Sequence, residues 1–444
     1  MSGQLPFGFG VPDPDGKPGQ PYDLASLGAA LQSLGQLLAS GGPSEGPVQW
    51  SVVADQARKA VTAAGDPSVS STDREGVVEA FRLADVWLDD ATTFPALAVP
   101  AAAWSRTEWL VATLPQWRSY AEPILERMVA MLASSLSASG DDAGDPTRHA
   151  SAVDPEALTQ ALPEHLRSML PGGVIPPEMA GMLAPMMQMM SQLGSLALTM
   201  QVAQAMAGVA AEAVSAGDIG IPLTERPACA LVPGNISRIA EGLGVSPEDV
   251  RLYLALRESA VQRLFAQVPW LRPRLIGAIE EFARGISIEP DQFASLLGEV
   301  DPSDPQAIAQ ALGAGSLQPE QTPEQQAALA RLQTLLALVE GWVEDVVSEA
   351  AGPRMPSSAA LKETMRRRRA AQGPAEKAFA GLVGMELRPK AVREAATVFA
   401  AMRVQGSVSQ RDGLWSHPDL LPTRADLEDP LGFVASALDA PPDA

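Results

Sequence analysis

Cysteine is almost missing from this chain: one residue, Cys229, occurs among 444. A lone thiol excludes an intramolecular disulfide and any zinc cluster built on thiolates. Within "PACALVPGN" it reads as a small buried residue, because no base stands nearby in the sequence to activate it. Histidine is nearly as scarce, with only His149, His165 and His417, so a serine–histidine triad has little to draw on. Aromatic residues make up 5% of the chain, and 32 lysines and arginines face 53 aspartates and glutamates, a formal net charge of -21. Such a surface repels a polyphosphate backbone, which disfavours nucleic acid and favours a basic protein partner. No phosphate-cradling G-x-x-x-x-G-K-[ST] run, nucleophile elbow G-x-S-x-G or internal repeat occurs. The opening "MSGQLPFGFGVPDPDGKPGQ" has no basic region followed by an apolar run, which predicts a cytoplasmic location.

What is present favours helix. Alanine and leucine are the main helix-forming residues, glutamate and glutamine add to them, and hydrophobic residues reach 46%. Residues 1–46 read as a flexible tail containing the short apolar helix "DLASLGAALQSLGQLL", and 47–132 as a helical unit. Thr72 with Glu75, and Ser105 with Glu108, fit the capping box, in which each end residue satisfies a backbone N–H of the other. The acidic stretch 133–156 reads as a flexible linker carrying a solvated His149, and His165 begins the next amphipathic helix. Between Glu178 and Glu212 no charged residue occurs. A membrane span needs about 20 mostly apolar residues, but Pro185 and six glutamines and serines interrupt this one, so a buried central helix is expected and no transmembrane segment. "DIGIPL" and "CALVP" are the only strand material. Asn235 is placed as a helix cap. Ser246-Pro247-Glu248-Asp249 and Thr322-Pro323-Glu324-Gln325 mark two further helix starts.

The first of these starts leads to the stretch that carries chemistry. Arg257-Glu258-Ser259-Ala260-Val261 has the outline of H-E-x-x-H with both histidines replaced. In that motif the imidazoles lie one helical turn apart and face one metal, while the glutamate acts as base toward the metal-bound water. On this template Arg257 and Val261 stand at ligand positions, Glu258 at the general-base position, and Glu340 of "VEGW" at the third ligand.

From Asn235 to Val434 the chain resembles a zincin-like hydrolase family, the zinc-dependent metalloprotease type. The resemblance rests on the R-E-x-x helix, "LALVEGWVEDVV", "LKETMRRRR", "AFAGLVGMELRPKAVREAATVF" and "LWSHPDLLPT". "PFGFG" and "AWSRTEWLVATLPQW" extend it toward the N-terminus. It implies a mostly helical zincin-like domain, residues 157–436, with at most a small sheet, after the helical N-terminal unit and before a tail at 437–444: a mainly α protein. It also implies zinc as cofactor, with histidines where Val261 and Gln267 stand here. Their absence predicts that the zinc is lost and no cofactor takes its place, since catalytic zinc needs about three protein ligands. A guanidinium about 4 Å from a cation opposes each unit charge by roughly 4 kcal/mol at an effective dielectric near 20.

Three readings follow. In the first, Arg257 pairs with Glu340 or another acid, Val261 packs apolar, and a degenerate, non-catalytic protein acts by binding a basic partner. In the second, a carboxylate-rich site holds magnesium, manganese or calcium and remains a metal-dependent hydrolase or peptidase. In the third, the acidic surface and Met-rich helix make a scaffold. His417, in "SHPD", reads as a turn residue rather than a ligand. Arg366 to Arg369 read as a solvated face pairing with nearby acids, or as a docking site for an acidic group.

Overall fold

Helical phasing set by alanine, leucine and valine governs the chain wherever it is placed. The computed structural model describes residues 46–137, 177–218, 220–240, 244–285, 322–370 and 391–439. Among them are twelve α-helices and one two-stranded parallel sheet, so the fold is mainly α. The expected tail helix before residue 46, His149 and His165 lie outside the described residues.

The order is α1 (Trp50–Ala63), α2 (Ser71–Asp89), β1 (Ala102–Ala103), α3 (Arg106–Ser137), α4 (Pro177–Ala210), β2 (Ala230–Leu231) and α5 (Pro233–Ala240). Then come α6 (Pro247–Gln267), α7 (Leu271–Arg284), α8 (Pro323–Ala351), α9 (Ser358–Ala370), α10 (Val392–Ala401), α11 (Val408–Gly413) and α12 (Pro430–Asp439).

Local chemistry sets most of these boundaries. Ser105 and Glu108 exchange their capping bonds, at 2.7 and 3.1 Å, and Thr322 and Gln325 do the same. Ser246 accepts from the Asp249 N–H with Pro247 in the first turn. Two caps fall elsewhere. Helix α2 opens at Ser70, whose hydroxyl accepts from the Asp73 N–H at 3.0 Å, so Thr72 lies inside the first turn. Asn235 also lies inside its helix: buried, it donates to the carbonyls of Ala210 and Ala213 and accepts from Arg106, tying three segments together.

The charge-free stretch is α4, a continuous helix through Pro185. Its second half buries Val202, Ala203, Met206 and Val209 and packs on α1. No helix among the described residues is long and apolar enough to cross a membrane.

Two helices frame the site. Helix α6 packs against α2 and α8, and α8 in turn against α7 and α10. Where α8 meets α10, Gly341 lets the backbones approach so closely that a Cβ there would sit 2.6 Å from the Ala395 Cβ and 2.7 Å from backbone atoms. The sheet supplies the third wall. Ala102 and Ala103 pair in parallel with Ala230 and Leu231. On its other side Leu231 bridges Ser215, with Val232 N–H to Val214 C=O at 2.9 Å and Ala216 N–H to Ala230 C=O at 3.0 Å. Thus "CALVP" contains a strand. The described residues of "DIGIPL" do not form one. Gly220 sits at φ +77, and the N–H of Gly217 just before it goes to a side chain instead of a ladder.

Candidate functional site

The rotation of α6 follows from its apolar stripe. Tyr253, Leu256, Ala260 and Leu264 are buried, Val268 caps the end and is buried as well, and Pro269 follows. With that face against the core, Arg257, Glu258 and Val261 turn toward α8 and the 214–220 loop, where Glu258 is 2% and Val261 4% exposed.

The structure brings Arg257 and Glu340 together: Arg257 Nη2 donates to Glu340 Oε2 at 2.7 Å. Burial works against the Arg257 charge, but the adjacent Glu340 carboxylate more than reverses this and holds its pKa above the ordinary guanidinium value. The second Glu340 oxygen, Oε1, faces Arg369 Nη2 at 2.8 Å. That contact is ionic rather than a directed hydrogen bond, since no N–H is aimed at the oxygen. Both oxygens of the candidate third ligand are therefore engaged by guanidinium groups.

Glu258 faces the other way. It accepts from the Gly217 N–H at 3.0 Å and from Gln262 Nε2 at 2.7 Å. Burial pushes its pKa up to about 7, against hydrogen bonds from Ser215, Gln262 and Gly217, and the nearby Asp218 charge adds to the rise. A cavity of about 20 Å³, room for one water, lies between Ser215, Asp218, Arg257, Glu258, Val261 and Met365. Gly217 lines it because a Cβ would stand 3.3 Å from both Glu258 oxygens.

The arginine run closes this cavity. Arg366 binds Glu344 through two nitrogens, Nε to Oε2 at 2.7 Å, with Lys362 Nζ 3.7 Å from the same carboxylate. Arg368 meets Asp218 at 2.7 Å and the Glu212 carbonyl at 2.6 Å. Arg369 reaches Glu340 and the Asp218 carbonyl. Burial opposes the Asp218 charge, yet Arg368 holds the carboxyl below its usual range. Only Arg367, paired with Glu363 along the helix, has the solvated character expected of the whole run. The other three turn inward because their partners come from α8 and the 214–220 loop, which the local sequence does not reveal.

The remaining candidates lie apart from this constellation. Gln267 is exposed at the end of α6. His417 is exposed and its Nδ1 accepts from the Asp419 N–H at 3.2 Å, which makes it a turn cap. Cys229 is buried, and burial, with Glu258 and Asp85 nearby, pushes its pKa up to about 12. Two ion clusters centred on buried arginines have no counterpart in the sequence. Arg263, 1% exposed, joins Asp85 and Asp89 of α2 to α6. Arg411 binds Asp345 and Asp412, and Asp412 also accepts from Trp342, Thr92 and Thr93. The i, i+4 spacing of Glu258 and Gln262 was a local signal for their contact.

These donors do not fit zinc. The site helix has no imidazole, Glu258 is committed to amide donors, and Glu340 to two cations. Among the described residues no group of three His, Cys, Asp or Glu could hold a metal ion.

With the geometry in place, the chain can be set beside known proteins. The family described as zincin-like metallopeptidase matches residues 48–434. A crystal structure from Chloroflexus aurantiacus, described as a "putative hydrolase with a novel fold", superposes with a TM-score of 0.58 at 17% identity, over 89% of this chain and 100% of that one. No curated protein matches.

Proposed function

Because the chain belongs to the zincin-like metallopeptidase family, we propose that it is a catalytically degenerate member, in which a guanidinium has taken the place of the metal and the protein acts by binding. The observation that carries this reading is the 2.7 Å pair between Arg257, at the first ligand position, and Glu340, at the third. An arginine there supplies a fixed positive charge and satisfies the carboxylate that a dication would otherwise neutralise. Val261, at the second ligand position, contributes apolar packing and offers a cation nothing. Glu258 keeps the place of the base but holds the 214–220 loop through the Gly217 N–H.

Restoring the ligands tests this. Arg257→His combined with Val261→His should bind zinc stoichiometrically in equilibrium dialysis while the unaltered chain does not. Equal zinc binding by both would overturn the reading.

A second reading, a hydrolase that retains Glu258 as base, is supported by that carboxyl's pKa of about 7 beside a water-sized cavity. Peptidase activity of the purified chain that vanished in Glu258→Gln would favour it over the first.

A further inference from the structure

Helix α9 differs from every other wall of the site in how it is held. Its buried side chains are Leu361 and Met365, and Met365 borders the cavity, so part of its surface faces a void. Apolar burial therefore fixes α9 weakly compared with α8, which buries side chains along most of its length. What seats it is charge: Arg366 on Glu344, Arg368 on Asp218, Arg369 on Glu340, and Lys362 beside Glu344. The three arginine side chains retain 22 to 29% of their exposure, so water and salt reach the pairs and screen them.

The acceptors have the opposite character. Glu340, Glu344 and Asp218 are 4%, 6% and 13% exposed as side chains, and they belong to the extensively buried helix α8 and to a loop pinned by Leu231, Val232 and the Trp109 indole. Among the described residues, Arg257 is the one cationic partner of theirs that lies off α9. Lifting α9 leaves a fixed cleft with two uncompensated carboxylates, Asp218 and Glu344, beside the Arg257–Glu340 pair.

We infer that α9 is a displaceable cover, seated by electrostatics, that occupies in cis the place of an arginine-bearing segment of a partner protein. The inference rests on the binding function proposed above and supplies the class of its partner. Guanidinium groups fit this cleft because each carboxylate already receives one. A chain with net charge -21 also draws cationic segments toward it.

Two measurements on the full chain test this. Hydrogen exchange of the α9 amides should accelerate about tenfold or more when sodium chloride is raised from about 0.05 to about 0.5 M, which shortens the screening length severalfold. Amides of α6 and α8 should not change. Exchange in α9 that is insensitive to salt would overturn the inference.

The second uses a fluorescent peptide of residues 361–370, LKETMRRRRA. The variant R366Q/R368Q/R369Q, whose own cover is neutralised, should bind it with salt-dependent affinity, and adding D218N and E344Q should weaken binding about tenfold or more. A folded triple variant that ignores the peptide contradicts the proposal. Should that variant fail to fold, the exchange measurement decides. Zinc found in the unaltered chain would overturn the metal-replacement reading without altering the outcome expected from either measurement, so the two ideas fail separately.

Discussion

At the scale of single residues, the account turns on two glutamates in one cleft that are treated in opposite ways. Glu340 is neutralised by guanidinium groups, whereas Glu258 is held by amide donors and driven toward its neutral form by burial. Removing one member of a buried ion pair leaves the other charge stranded, at a cost of roughly 3 kcal/mol. Arg257→Ala should lower the unfolding free energy by less than that, about 1 to 2 kcal/mol in urea titrations, because Arg369 still faces Glu340, whereas Glu340→Ala, which leaves Arg257 without its carboxylate, should cost about the full amount. Glu258 gives a pH signature. Its folded pKa of about 7 lies above the ordinary glutamate value near 4.5, so below about pH 4.5 the carboxyl is protonated in both states. As pH rises past that point the unfolded chain ionises first, and stability falls until the folded carboxyl also ionises near pH 7. Wild type should thus lose roughly 2 to 3 kcal/mol relative to Glu258→Gln between about pH 4.5 and 7. Parallel stability curves for the two proteins would show that the carboxyl is not perturbed.

At the scale of elements, boundaries written in local chemistry were readable. Ser105 with Glu108, Ser246 with Pro247, and Thr322 with Gln325 each cap the helix their spacing predicts. Thr322→Ala should cost about 1 kcal/mol in thermal or urea unfolding, because one capping bond is lost at a well-formed start. Features that depend on distant partners were not readable. The run Arg366 to Arg369 looks solvated because its acceptors lie far away in sequence, Asp218 by 150 positions and Glu344 by 22. "DIGIPL" has strand-like residues, but Gly217 gives its N–H to Glu258, 41 positions on, and Gly220 adopts a left-handed conformation. Close helix approach is equally invisible locally. Gly341 in "VEGW" looks like a weak point in a helix, yet a Cβ there would meet the backbone of α10. Gly341→Ala should destabilise by about 2 to 3 kcal/mol despite its better helix propensity, a sign opposite to that expected at an exposed site.

Across the whole molecule, composition and patterning were enough to predict a mainly α fold with a minimal sheet, and the motif order was enough to place the chain in its family. At the site, the expected pairing of Arg257 with Glu340 is present, whereas Glu258 turns away from it to the Gly217 N–H and Gln262, which one helix alone does not reveal. The burial of Arg263 and Arg411 was not legible, because a charged residue is read as exposed until tertiary structure supplies its counter-charges. Together these clusters brace the helices that define the cleft, α2 to α6 and α8 to the segment after α10. The cleft walls are held by apolar burial along α6 and α8 as well as by these pairs, while the cover has little apolar burial of its own.

The most direct test of that arrangement is elemental analysis of the chain purified without chelators and dialysed against zinc. With guanidinium in the metal's place, zinc should remain far below one equivalent per chain. Retention of a full equivalent, released by Glu340→Ala, would contradict the central claim.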